Sequence, residues 1–187
     1  MSERLFRSRF ASPIGPLFIV CSAQGLLAVG LGKPGRPRFE RWLGRISPGA
    51  ELVEGSEETA AVERQLRQYF EGRRCVFALP LDLRGTSFQK TVWNAVAEIP
   101  FGTTASYGQI AHLIGKPKAS RAVGAANGAN PIPIVIPCHR VIGSDKSLTG
   151  YGGGLPMKSW LLAHEGVLRP EAVQMGLFRE RPAQPHV

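Results

Sequence analysis

The sequence predicts an α+β chain, a strand-rich α/β unit over residues 1–83 followed by a mostly helical unit over residues 84–170. Three observations carry this reading. The first 31 residues alternate with the period of strands, apolar positions after residue 86 recur at helical spacing, and two of the later helices are joined by a short glycine turn.

Leu5 to Phe10, Leu17 to Cys21 and Leu26 to Leu31 read as strands, and Ser22-Ala23-Gln24-Gly25 joins the last two as a hairpin. The Gly-, Pro- and Arg-rich stretch from Gly32 to Gly49 reads as a surface loop with solvated arginines. Ser56, followed by Glu57 and Glu58, marks a helix start, because carboxylates suit the positive end of the helix dipole. Val62, Leu66, Tyr69 and Phe70 form its apolar face, to which we assign packing alone, and a strand from Cys75 to Leu83 then closes the sheet. The boundary between units falls around Asp82 to Gly85.

Phe88, Val92, Ala95, Val96 and Ile99 lie on one helical face, and Pro100 ends that run. A second helix spans Ser106 to Ile114, with Ser106 and Gln109 in capping-box register and Gly115 as the left-handed stop. A third opens at Pro117 and runs to about Asn127 on a series of alanines. Helix, turn, helix is the helix-turn-helix arrangement. Its second helix is slim, carrying few long polar groups beyond Lys118, Arg121 and Asn127, which suits approach to a backbone or to the narrow minor groove, where sequence information is poor. The residues 171–187 read as a mobile tail, rich in proline and charge.

A chain of 187 residues, 43% hydrophobic, can bury a substantial core, which excludes a disordered class. Its 23 Lys and Arg against 14 Asp and Glu give a charge of +9, so a polyanionic partner is expected, nucleic acid ahead of an anionic membrane surface. There is no apolar run of membrane-spanning length and the first nine residues are too charged for a secretory signal, so a cytosolic or nuclear home is expected. Cys21, Cys75 and Cys138 form no C-x-x-C pair and the four histidines have no H-E-x-x-H spacing; neither a disulfide framework nor a bound metal is called for.

Residues 130–141, Asn-Pro-Ile-Pro-Ile-Val-Ile-Pro-Cys-His-Arg-Val, carry the chemistry. Three prolines fix the backbone around an apolar run, and a thiol and an imidazole then stand side by side. Cys21 and Cys75, in strand-like runs, read as inert small hydrophobes, whereas His139 and Arg140 supply positive groups that favour a Cys138 thiolate. Cys138 is therefore the candidate nucleophile.

Pro137-Cys138-His139-Arg140-Val141 resembles the active-site motif of the O6-alkylguanine-DNA alkyltransferases, the methylated-DNA–protein-cysteine methyltransferases. Arg121-Ala122-Val123-Gly124, Asn130-Pro131 and Leu161-Leu162-Ala163-His164-Glu165-Gly166 match in order and spacing, so the resemblance covers about residues 86–166. It implies a ribonuclease-H-like first domain lacking the ribonuclease site and a winged helix-turn-helix domain holding the cysteine. It implies a single, irreversible transfer of an alkyl group from guanine O6, with O4-alkylthymine a further substrate to test, after minor-groove binding and nucleotide flipping. The partner is double-stranded DNA containing O6-alkylguanine, no cofactor is required, and the protein is expected to be a monomer in solution, with cooperative binding on DNA an open question.

The same resemblance implies the roles. Cys138 is the nucleophile, His139 its base through a water, and Glu165 the carboxylate that holds the imidazole tautomer. Asn130 bonds within the active-site turn, and Tyr107 helps rotate the nucleotide and donates to guanine N3. Arg121 fills the vacated stack, with Lys118, Ala122 and Gly124 along the DNA-facing helix. Tyr151, Gly152, Val141, Pro133 and Lys158 form the alkylguanine pocket. Two positions depart from the pattern. Gly152 stands where some relatives have a serine, which widens the pocket, and Lys146 stands where bacterial relatives often have glycine.

Three other classes fit the sequence less well. A thiol hydrolase needs neither a helix-turn-helix nor a large positive charge, a non-catalytic damage sensor on this scaffold lacks the cysteine, and a metal-dependent regulator needs a cysteine cluster that three scattered thiols cannot make.

Overall fold

The computed structural model describes residues 2–55 and 57–168, with the side chains of residues 33–38 outside that description. Ser56 and the tail 171–187 therefore lie outside the described residues. Strands β1 (Arg4–Ser12), β2 (Gly15–Ser22) and β3 (Gly25–Leu31) form an antiparallel meander, and β4 (Glu51–Glu54) adds to the far edge of β1 in parallel, giving the order β3-β2-β1-β4. Alternation sorts the side chains onto two faces. Leu5, Val20, Leu27 and Ala28 look to one side, while Leu17, Ile19, Leu26 and Val29 look to the other, where α2 (Glu57–Phe70) contributes Val62, Leu66 and Tyr69.

Two expectations for this half fail. The stretch read as a surface loop is mostly helix, α1 (Gly32–Ile46). Phe39, Trp42, Leu43 and Ile46 follow the i, i+3, i+4, i+7 spacing and cover Leu5, Val20, Leu27 and Ala28. Burial of that face outweighs the poor helix propensity of the glycines and prolines, and Pro34 stands in the first turn, where its missing N–H has no helical partner to lose.

The expected strand over residues 75–83 is also absent. That segment touches β3 only at an isolated bridge between Leu26 and Leu81, flanked by Leu26 N to Pro80 O at 2.8 Å and Asp82 N to Leu26 O at 2.9 Å. The backbone of Ala78 is satisfied instead by the side-chain amide of Gln65 on α2, whose Nε2 donates to Ala78 O at 2.8 Å and whose Oε1 accepts from Ala78 N at 2.9 Å. The edge position is taken by β4, four residues too short and too polar to announce itself.

In the second half, α3 (Ser87–Ala97) starts at a capping box made by Thr86 and Gln89, and α4 (Tyr107–Leu113) at the one expected from Ser106 and Gln109. Gly115 takes a φ of +70° after α4. Helix α5 (Ser120–Gly128) begins three residues later than Pro117, which belongs to the connecting turn. A single 3-10 turn, Cys138–Arg140, leads into β6 (Val141–Ile142), which pairs in parallel with β5 (Ala105–Ser106), and α6 (Leu155–His164) closes the fold. One apolar cluster runs through both halves, from Leu17 and Tyr69 to Trp93, Ile132 and Leu161. Trp93 centres it, donating Nε1–H to Ala126 O at 2.8 Å, and its ring would meet any Cβ at Gly85 at 2.6 Å. No helix among the described residues is long and apolar enough to cross a membrane.

Candidate active site and nucleic-acid interface

The approach to Cys138 is a constrained turn. Asn130 ties it internally, accepting from Ile132 N at 3.0 Å and donating Nδ2–H to Ile136 O at 2.9 Å, while Ile136 N donates to Ile132 O at 2.9 Å. Between them Ile134 has a φ of +77°, a left-handed conformation that β-branched residues avoid, and it is held there by complete burial with Ile132 and Ile136. From the first domain, β3 braces the same turn through Val29 N to Pro131 O at 2.8 Å. Asn127 on α5 donates to Cys138 O at 3.2 Å.

Cys138, His139, Arg140 and Glu165 are all buried. His139 Nε2 lies 2.8 Å from Glu165 Oε1, and Arg140 grips the same carboxylate with Nε on Oε2 at 2.7 Å and Nη2 on Oε1 at 2.9 Å, its Nη1 donating to Ile99 O at 2.6 Å. Burial alone would raise the Glu165 pKa, but these bonds outweigh it and hold the carboxyl at about 2. Burial lowers the His139 pKa more than Glu165 raises it, so the imidazole is neutral. An ionised carboxylate can only accept, so Nε2 carries the proton and Nδ1, buried and without a partner, presents the lone pair.

These facts revise the expected source of thiolate stabilisation. Arg140 serves Glu165 and His139 is uncharged at rest, so neither supplies the positive charge. Burial pushes the Cys138 thiol up, and what opposes it is a hydrogen bond from Asn130 and the charge of Lys158. Lys158, wholly buried and pulled down to about 8 by burial, donates to Val141 O at 2.6 Å and Thr149 O at 2.9 Å. The resting nucleophile is therefore a thiol with a neutral base beside it in sequence.

Outside this centre lies a cleft of about 810 Å³. Tyr107, Arg121 and Gly124 line one part of it, and Tyr151 and Gly152 another. Tyr107, the first residue of α4, shares a 2.9 Å hydrogen bond with Thr149 Oγ1, and a Cβ at Gly124 would sit 3.7 Å from its ring, an ordinary contact. Arg121 and Ala122 are exposed on α5, with Lys118 exposed in the turn before it. Tyr151 turns a buried, unpartnered hydroxyl inward.

Three further residues expected in the pocket do not line this cleft directly. Val141 is wholly buried in β6 and Lys158 lies behind the cleft wall, while Pro133 borders a second cavity of about 460 Å³ facing Phe39 and Trp42 of α1. Gly152 and Gly128 border both cavities. Lys146 has a φ of +62°, which accounts for the fitness of glycine at that position, and its N–H closes a turn on Gly143 O at 3.0 Å.

Residues 5–83 match the family model described as 6-O-methylguanine DNA methyltransferase, ribonuclease-like domain, and residues 87–167 match that described as its DNA binding domain. The chain belongs to the 6-O-methylguanine DNA methyltransferase family. A methylated-DNA–protein-cysteine methyltransferase of Methanosarcina acetivorans is 46% identical over 162 residues, covering 87% of this chain and 99% of that protein. The Salmonella typhimurium protein of the same name is 45% identical over 168 residues, covering 88% and 98%. The crystal structure of Mycobacterium tuberculosis OGT in complex with DNA superposes with a TM-score of 0.74 at 38% identity, over 92% of this chain and 99% of that one. The ribonuclease-like first domain and helical DNA-binding second domain of the family are the α+β architecture expected from the sequence.

Within this family framework, sequence reasoning missed two residues at the centre. The sequence marks Asn127 as the end of the third helix and one of its few polar groups, not as a partner of Cys138. Tyr69 was read as part of an apolar face, yet its hydroxyl donates to Glu165 Oε1 at 2.7 Å across 96 positions of sequence. Only the hydroxyl on an otherwise apolar stripe signalled that a partner was needed.

Proposed function

We propose that this protein repairs alkylated DNA by direct reversal, moving the alkyl group of O6-alkylguanine in duplex DNA onto Cys138 Sγ, once per molecule. The observation that carries the reading is the buried His139–Glu165 pair next to Cys138, whose charge is felt by Tyr107 and Tyr151, two residues that line the cleft bordered by the exposed Arg121 of the helix-turn-helix.

The alkyl carbon is out of reach in stacked DNA, so the nucleotide must be rotated into the cleft, at about a few kcal/mol for a damaged pair. Helix α5 lies on the minor groove, Lys118 and the small Ala122 and Gly124 allow close approach, and Arg121 occupies the space left in the stack. Tyr151 and Gly152 border the base. His139 Nδ1 takes the thiol proton through a water, and Glu165 stabilises the resulting imidazolium. Sulfur then attacks the alkyl carbon, the S–C bond forms and the C–O6 bond breaks. Tyr107 hydrogen-bonds guanine N3 as negative charge builds there. The proton taken by His139 balances the one regained by guanine, leaving a thioether and an intact base. A thioether has no good leaving group, so the protein is consumed.

We assign residues 1–83 to the ribonuclease-like domain and 84–170 to the DNA-binding alkyltransferase domain. A chromosomal substrate places the protein in the cytoplasm, on the nucleoid in a prokaryote.

Incubation with an oligonucleotide carrying one O6-methylguanine, followed by intact mass and peptide mapping, tests the reading. One methyl per protein, on Cys138, is expected. Turnover beyond one equivalent, or methyl on Cys21 or Cys75, overturns it.

A further inference from the structure

Glu165 Oε1 accepts three donors: His139 Nε2 at 2.8 Å, Arg140 Nη2 at 2.9 Å and Tyr69 Oη at 2.7 Å. The first two belong to the 3-10 turn that carries Cys138, but Tyr69 comes from α2 of the ribonuclease-like domain. Its placement is fixed at both ends. The Tyr69 carbonyl accepts from His164 Nε2 at 2.7 Å, so one residue of α2 holds two consecutive residues at the end of α6. Its ring is wholly buried, edge-on to His164 and Phe101 and tilted against Phe77.

We propose that Tyr69 is a positioning residue for alkyl transfer: its hydroxyl locks the Glu165 carboxylate and draws charge from the oxygen that faces His139, setting the orientation and basicity of the imidazole. This rests on the alkyl-transfer reading above. The physical reason is that a carboxylate held only by the Arg140 fork can still tilt about that pair, carrying the His139 acceptor with it. A third donor from a separate element removes that freedom. The same donor competes with His139 for the electron density of Oε1. The groups facing His139 are thus Glu165, Arg140, Lys158 and, through Glu165, Tyr69. Tyr69 is itself kept protonated, since burial and the adjacent carboxylate push its ionisation far up. It donates throughout the range in which the protein is folded.

Tyr69→Phe keeps the ring and deletes the donor. In single-turnover transfer from O6-methylguanine duplex, its rate constant is expected to fall roughly tenfold. The acid-side midpoint of the rate–pH profile should move to higher pH, because a more negative Oε1 favours the imidazolium and transfer needs the neutral base. Introducing 3-fluorotyrosine at position 69, a stronger donor of nearly the same shape, should move that midpoint the other way. NMR titration of the His139 imidazole reads the same midpoint without substrate, so a protein that failed to transfer would still report on Tyr69. A Tyr69 that only supports packing would change the melting temperature or the active fraction and leave the midpoint of both variants at the wild-type value. That result, or an unaltered rate constant per active molecule in Tyr69→Phe, overturns the proposal.

Discussion

Arg140 grips Glu165 through two hydrogen bonds, Nε to Oε2 at 2.7 Å and Nη2 to Oε1 at 2.9 Å, so the strongest cation of the centre neutralises the orienting carboxylate and not the thiol. This sets the response to acid. The Glu165 carboxyl, at about 2 in the fold against an ordinary 4.5, stabilises the fold fully above pH 4.5, and that stability is lost as pH falls toward 2. His139, lowered from 6.5 by burial, adds a loss that begins just below pH 6.5, where the unfolded chain takes up a proton and the folded one does not. Urea midpoints measured from pH 7.5 to 3 should fall in two stages. The Glu165 stage is worth about 3 kcal/mol. Glu165→Ala, which strands a buried guanidinium, should cost about 3–5 kcal/mol at pH 7 and shrink the lower stage to what Glu3 and Asp82 contribute, their carboxyls being held low beside Arg84.

Arg121 is exposed on α5 at the rim of the cleft, where its charge can enter the duplex as the nucleotide leaves. Arg121→Ala should slow transfer from duplex DNA far more than transfer from a free alkylguanine base. Equal slowing of both would assign the residue to the fold or the thiol. DNA binding should also lose about one unit of salt slope if a phosphate contact goes with the side chain.

Gly152 separates the cleft from the cavity beside Trp42, and a Cβ built there meets nothing within 4 Å. Gly152→Trp should therefore fold normally and narrow the passage. Methyl transfer should stay within about twofold of wild type, while benzyl transfer falls at least about tenfold. Competition between O6-methyl- and O6-benzylguanine, read by intact mass, gives the ratio directly. An unchanged ratio would show that bulky groups take another route.

Alkylation should destabilise the protein. Cys138 is buried against a turn that already holds Ile134 at a φ of +77°, so the site has little freedom to relax. An added methyl group at a packed position costs about 1–3 kcal/mol. The methylated protein should melt below the unmodified one at matched pH, and a melting temperature equal to it would show that the pocket absorbs its product without strain.

The elements the sequence determined by itself are those specified by neighbours in the chain. The capping box of Ser106 and Gln109, the stop at Gly115, the alternation of β1 to β3 and the proline-fixed approach to Cys138 each depend on residues a few positions apart, and periodicity or turn chemistry reads them directly. Tertiary structure decided what depends on distant partners. Helix α1 exists because Phe39, Trp42, Leu43 and Ile46 cover one face of the sheet, against the local signal of its glycines and prolines. The segment 75–83 is no strand because Gln65 satisfies the backbone of Ala78. Arg140 stands beside Cys138 in sequence yet serves Glu165, and Tyr69, 96 positions away, completes that carboxylate. Hydrogen bonding and burial act through space, so the chemistry at Cys138 was legible as a motif, while its charge balance was set only once the two domains packed together.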